Sequence, residues 1–246
     1  MLRDALIDTA NRLGIDNQLR SIRAVLSPNY RHDRIESQNV RLLLENVLTK
    51  DSNCVDIGAY RGRVLAEIVR VAPHGKHIAY EPLPHIHKYL VDHFPSVDVR
   101  LAAVSNEEGE TSFTYVKNVT ARSGLREISY PRQPQIEKLT VQTETLDSNL
   151  PGGYAPTLIK IDVEGAEYLV MEGAIETISK YKPTIIFEHG KGAAVHYNTQ
   201  PRQIYELLHG KAGLRIFDLD GSGPYSLSQF EESFERDERW DYVARL

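Results

Sequence analysis

A single cysteine, Cys54, stands in this chain. It excludes an intramolecular disulfide and any zinc site built on paired thiolates. Inside a short apolar run it reads as a small buried hydrophobe rather than a catalytic thiol. No apolar run approaches the roughly 18 residues of a membrane-spanning helix. The opening Met1-Leu2-Arg3-Asp4 lacks the apolar stretch of a secretory signal, so the cytoplasm is the expected compartment. There is no excess of positive charge: 29 Lys and Arg stand against 34 Asp and Glu, a formal net charge of −5. That balance disfavours nucleic acid as a partner. Two phosphate-binding loops are also missing, since neither G-x-x-x-x-G-K-[ST] nor G-x-G-x-x-G occurs.

What is present is ordinary in amount and ordered in pattern. With 41% apolar and 26% charged residues, the 246-residue chain suits one large α/β domain. Leu2, Leu6, Leu13, Leu19, Ile22 and Leu26 recur at helical spacing, and Ser27-Pro28-Asn29 ends that element. A second helix is expected over 37–48, with Val40, Leu43, Leu44 and Val47 on one face. Together these predict a helical extension, 1–49, packed on a core domain, 50–246.

Within that domain strands and helices alternate. Strands are expected at 53–57, 77–81, 97–104, 157–163, 184–189 and 214–219. Helices are expected at 60–71, 84–93, from 165 into the 170s, and at 202–210. Residues 111–117 alternate like an exposed strand, and Tyr242-Val243-Ala244 reads as a terminal edge strand. Such alternation implies a mainly parallel sheet with helices on both faces. The segment 117–138 breaks the pattern and is polar and basic over its first ten residues. It is either a plain surface loop or a flap facing the substrate.

Chemistry concentrates at the predicted strand ends, where open α/β sheets bind ligands. A short apolar strand holding Asp56 runs into Gly58-Ala59-Tyr60-Arg61-Gly62, and a helix follows. Glycines let a ligand approach the backbone, and the helix start offers unpaired N–H groups. Glu81 ends the next strand about 20 residues on, where an acid can accept from both ribose hydroxyls. Asp162-Val163-Glu164-Gly165 and Glu188-His189 end two further strands. Without a pyrophosphate-binding turn, a nucleoside ligand such as S-adenosylmethionine fits better than a dinucleotide. The glycine turn (Asp56, Gly58, Ala59, Tyr60 and Gly62) would take its amino-acid part. Glu81 would take the ribose, and Pro82, Ala103 and Val104 would flank the adenine.

Several strings appear in order: Asp56-Ile57-Gly58-Ala59-Tyr60-Arg61-Gly62, Tyr80-Glu81-Pro82, Ala102-Ala103-Val104-Ser105, Thr145-Leu146-Asp147 and Ile161-Asp162-Val163-Glu164-Gly165-Ala166-Glu167. In these the chain resembles the FkbM-type methyltransferases over roughly residues 50–220. The resemblance implies a class I methyltransferase fold, a Rossmann-like three-layer sandwich. It also implies S-adenosylmethionine as methyl donor, and a hydroxyl on a sugar or natural-product-like small molecule or glycan as acceptor. Tyr60 and Arg61 depart from the family, which usually has Asn and a small aliphatic residue there. The alternatives are a nicotinamide-dependent oxidoreductase and a non-catalytic binding protein on the same fold.

Methyl transfer to a hydroxyl requires near-attack positioning and removal of a proton. Asp162 is the first candidate to hold the cofactor's amino group or to act as base. Glu164, Glu188 and His189 are the other candidates, with one of Glu188 and His189 facing the cleft if the strand is regular. These four are hard donors for a divalent metal, but acids in a polar cleft do not require one. His74, His77, His85, His87 and His93 lack metal spacing and read as solvated. Asp147 should end a strand or cap a turn, Asp56 should bond to nearby backbone N–H groups, and 231–238 should form a solvated helix face.

Overall fold

The computed structural model describes residues 28–130, 133–237 and 239–246. The described residues divide into two units between Leu43 and Leu44. The helix expected over 1–26 lies outside the described residues. The helix expected over 37–48 starts earlier: α1 spans Pro28–Val47. Proline suits a first helical turn, so Pro28 opens this helix as readily as it closes the element before it.

The strands are β1 (Cys54–Ile57), β2 (Ile78–Tyr80), β3 (Asp98–Arg100), β4 (Ala103–Val104), β5 (Gly109–Val116), β6 (Ile136–Glu144), β7 (Leu158–Ile161), β8 (Thr184–Glu188), β9 (Arg215–Asp218) and β10 (Asp241–Arg245). Seven of them make one sheet in the order β3-β2-β1-β7-β8-β10-β9, and β4, β6 and β5 make a second. The large sheet is parallel except for β10, which runs antiparallel to both neighbours. With helices on both faces, this is the class I methyltransferase fold.

Alternation along the strands explains the layers. Ile78 and Tyr80 point into the main core with Val170, Met171 and Ile178. Those three come from α5 (Glu167–Glu172) and α6 (Ile175–Tyr181). Ala79, between them in β2, points the other way, toward Leu65 and Leu90. These belong to α2 (Arg63–Val71) and α3 (Pro84–His93).

Two strand expectations change, and one strand was not expected. The strand expected over 97–104 is two strands in different sheets, β3 and β4, divided at Leu101-Ala102. The terminal strand β10 is not an edge. It inserts between β8 and β9, which leaves β9 outermost. Strand β6 carries no apolar run and takes its place by pairing with all of β5, from Gly109↔Thr143 to Val116↔Ile136. Its outer half is exposed, which hides the strand from a hydrophobicity reading.

Of the bland expectations, Asp147 does cap: its carboxylate accepts from the backbone N–H groups of Glu176 and Thr177, at the start of α6. His77 is not solvated but buried, with Nε2 2.8 Å from the Ala72 carbonyl. The acidic stretch lies on α9 (Leu227–Arg236), which buries Phe230 and Phe234 and exposes Glu232 and Glu235.

One ion pair crosses the middle of the sheet. β1 and β7 pair with Asp56 level with Lys160. The Lys160 ammonium lies 3.3 Å from Asp56 Oδ1, with side chains 9% and 0% exposed. Asp56 therefore does not bond to backbone N–H groups as expected; its counter-charge comes from the next strand. Burial raises the Asp56 pKa, and Lys160 opposes that rise. Lys160→Met should destabilise the fold by ~3 to 5 kcal/mol in denaturant titration, because Asp56 is left buried without a partner. Adding Asp56→Asn to that variant should restore part of the loss. A single variant within ~1 kcal/mol of wild type would show that the pair does not hold the sheet.

Candidate functional site

The turn after β1 is built by backbone shape. Gly58, Tyr60 and Gly62 all have positive φ, at 75°, 47° and 73°. At Gly58 no other residue fits, since a Cβ would sit 1.9 Å from the Asp162 carbonyl oxygen. Tyr60 bears this conformation without glycine's freedom, and its N–H donates to Glu81 Oε2 at 3.0 Å. Glu81 Oε1 accepts from the Leu83 N–H at 2.9 Å. Each oxygen thus keeps a lone pair free, and the carboxylate is aimed by two backbone bonds. Burial pushes the Glu81 pKa up to about 7 against those two bonds.

A cavity opens beside this turn. Gly58, Tyr60, Glu81, Pro82, Ala103, Val104 and Asp162 all line it, as expected from the sequence. Ala59 and Gly62 do not. Ala59 turns into the core beside Leu65, and a Cβ on Gly62 would meet the Phe94 ring at 2.4 Å. Asp56 lies beneath the turn, fully buried, and does not line the cavity; its charge pairs with Lys160. The exposed Arg61 places its guanidinium 5.7 Å from the Tyr60 ring centroid.

Sequence reasoning missed several wall residues. Leu83 and Phe113 add an apolar side. Phe113 comes from β5, whose alternation was visible but whose direction was not. Thr120, Ala121, Ser123 and Leu125 also line the cavity, so the first part of the segment 117–138 borders it. Gly124 pins it by exchanging two backbone hydrogen bonds with Thr114, at 2.8 and 3.1 Å.

Three carboxylates converge at the ends of β7 and β8. One oxygen from each of Asp162, Glu164 and Glu188 lies within 4.8 Å of the others. Asp162 Oδ2 sits 3.3 Å from the Lys160 ammonium, which also donates to the Gly58 carbonyl at 2.9 Å. Burial works against the Lys160 charge, but Asp162 and Asp56 outweigh it and its pKa is raised. Glu164 has a positive φ of 55°. Burial, then the charge of Asp162, pushes its pKa up to about 8. The same two causes, in the same order, raise Glu188 well above the carboxylate range. Glu167, also missed, accepts from the N–H groups of Val163 and Gly165, at 3.1 Å each, and holds this turn closed.

His189 does not join them. Strand alternation sends Glu188 toward the cluster and the His189 ring to the other side. That ring stacks on Phe234 at 4.7 Å and lies 5.8 Å from Phe230. Burial lowers its pKa to about 4. This overturns the expectation that His189 is a base candidate in the cleft.

A profile of the methyltransferase FkbM domain matches residues 56–215. No curated protein matches the chain. Among solved structures, the chain is similar to the methyltransferase FkbM from Methylobacillus flagellatus KT, at 16% identity and a TM-score of 0.50, over 80% of this chain and 44% of that one. It thus spans less than half the length of that protein. An O-methyltransferase from Bacillus cereus, solved with S-adenosylhomocysteine (SAH), is 14% identical over 86% of this chain and 80% of that one, with a TM-score of 0.47. A putative O-methyltransferase from Klebsiella pneumoniae is 13% identical over 85% and 79%, with a TM-score of 0.46. The Methylobacillus structure supports the fold alone; the domain match speaks to the family, which is one of methyltransferases rather than nicotinamide-dependent oxidoreductases. It begins at Asp56 and takes in the glycine turn, Glu81, the wall segment and the three clustered carboxylates, and on it the chain belongs to the FkbM family of S-adenosylmethionine-dependent methyltransferases.

Proposed function

We propose that this methyltransferase acts on a hydroxyl oxygen of a sugar or related hydroxylated small molecule. The observation that carries the reading is the convergence of Asp162, Glu164 and Glu188 beside the cofactor turn. A hydroxyl must lose its proton as the new bond forms, and carboxylates with raised pKa values are competent to take it near neutral pH.

The cavity fits the donor by its own residues. The Glu81 carboxylate offers two free lone pairs to a ribose diol, and Ala103, Val104 and Phe113 offer an apolar wall to a base. Bound there, S-adenosylmethionine supplies an electrophilic methyl group on a sulfonium. Asp162, half-exposed and fixed by Lys160, holds the donor's amino group. Glu188 takes the hydroxyl proton, and Glu164 keeps it basic by repulsion. The same three acids are the set that would hold a divalent cation, but proton transfer needs none.

Calorimetry with SAH separates these roles. Glu81→Ala should weaken binding about tenfold or more, the loss of one to two charge-assisted hydrogen bonds. Glu188→Gln should leave that affinity within about twofold while lowering turnover of any hydroxylated acceptor ~100-fold. Equal losses of SAH affinity in the two variants would remove Glu81 from the ribose.

Stability should also depend on pH. Glu81 and Glu164 titrate at about 7 and about 8 in the folded chain, above the ordinary carboxylate range. The folded state therefore binds these protons more tightly than the unfolded state does. Their contribution is present at low pH and is lost as pH rises through the folded values. The melting temperature of the ligand-free protein should exceed that of Glu164→Gln by less at pH 8 than at about pH 5. A constant difference across that window would show that Glu164 titrates normally.

A further inference from the structure

The wall segment carries two arginines that face the site without a direct ion pair among the described residues, although the Arg122 charge is felt at Glu164. Arg122 and Arg126 stand two residues to either side of Gly124, and both are exposed. Gly124 is the point where this segment touches the catalytic floor. A Cβ there would lie 3.5 Å from Glu164 Cβ and 3.6 Å from the Val163 carbonyl oxygen. Two residues of extended chain reach about 7 Å, so both arginines lie within reach of an acceptor seated on the carboxylates.

Among the described residues neither guanidinium makes an ion pair, and the acids nearby in sequence are taken by lysines. Glu127 pairs with Lys138 at 2.7 Å, and Glu137 pairs with Lys117 at 2.7 Å. The arginines are oriented instead by neutral groups. Arg122 Nη1 donates to the Ser129 carbonyl at 3.2 Å, and Arg126 Nη1 to the His196 carbonyl at 3.0 Å. The Arg126 guanidinium also lies 5.1 Å from the centre of the Tyr197 ring, and the Tyr197 hydroxyl accepts from the Arg126 N–H at 2.9 Å. A carbonyl uses one of five N–H donors and neutralises nothing, so each fork stays charged and partly ordered.

We propose that the acceptor carries an oxyanion, a phosphate ester or a carboxylate, which Arg122 and Arg126 bind at the rim while its hydroxyl faces Glu188. The arrangement orients the acceptor. Carboxylates on the floor repel the anionic end, and two guanidiniums on the wall attract it, so only one docking direction is favourable. Arginine suits this task because its planar fork meets phosphate and carboxylate with two hydrogen bonds at once. The net charge of −5 makes a small anion the fitting ligand rather than a nucleic acid.

This inference rests on the proposed function, and the test keeps the two apart. The full chain, saturated with SAH, is titrated with methyl phosphate and with glucuronate at constant ionic strength. Wild type should bind at least one of them saturably. Arg122→Gln and Arg126→Gln should each weaken that binding about tenfold or more, and leave SAH affinity unchanged. Lys117→Gln, with the same change of charge on a paired surface side chain, should not weaken it. Arg126→Lys should recover only part of the loss, since it restores charge without the fork. The inference is overturned if wild type binds neither anion saturably, if the arginine variants lose no more than Lys117→Gln does, or if an oligonucleotide binds at the same arginines more tightly than both anions. Failure of wild type to bind SAH would strike the proposed function instead.

Discussion

The Lys160 ammonium is the interaction on which the rest of the site depends. It has three donors and meets three acceptors from three segments: Asp56 in β1, the Gly58 carbonyl in the cofactor turn, and Asp162 beyond β7. Parallel pairing of β1 with β7 makes this possible, because it sets Asp56 level with Lys160. The same register brings the turn so close to Asp162 that only glycine fits at position 58. The Asp162 N–H then closes the join by donating to the Ile57 carbonyl at 3.1 Å. The turn after β1 and the turn after β7 are therefore tied together by one largely buried charge. Positioning matters in methyl transfer, where donor and acceptor must meet in line at near-attack distance.

Around that charge the electrostatics are graded. Glu164, Glu167 and Glu188 crowd within the reach of one lysine, and burial with mutual repulsion raises all three pKa values. Lys160 and, at Glu164, Arg122 oppose that rise without cancelling it. Further out, Arg122 and Arg126 lie on a wall pinned at Gly124 between Thr114 and the Glu164 turn.

The legible part of the site was the part carried by local chain. The glycine turn, Glu81 and the string from Ile161 to Glu167 each sit at the end of a short apolar strand, and the resemblance to FkbM enzymes rests on the same residues. His189 shows the limit. Strand alternation said that only one of Glu188 and His189 could face the cleft, and aromatic rings 41 and 45 positions later decided which. Phe230 and Phe234, on a helix read as a solvated acidic face, supply the apolar seat that takes the histidine. Lys160 was silent for another reason: inside Leu158–Ile161 a lysine reads as an interruption, and its value appears only when Asp56 is its neighbour.

Pattern along the chain alone determined the α/β alternation, the parallel sheet, the cofactor turn and the family, because each is written in residues close together. Tertiary structure alone decided which carboxylates converge, which turn inward to an ion pair, and that Thr120, Ala121, Ser123 and Leu125 border the cavity. It also placed β10 between β8 and β9 and split the strand expected over 97–104 between two sheets. These outcomes depend on pairing register and on side chains distant in sequence. Burial, charge repulsion and hydrogen-bond satisfaction act on what is near in space, which periodicity and composition do not record.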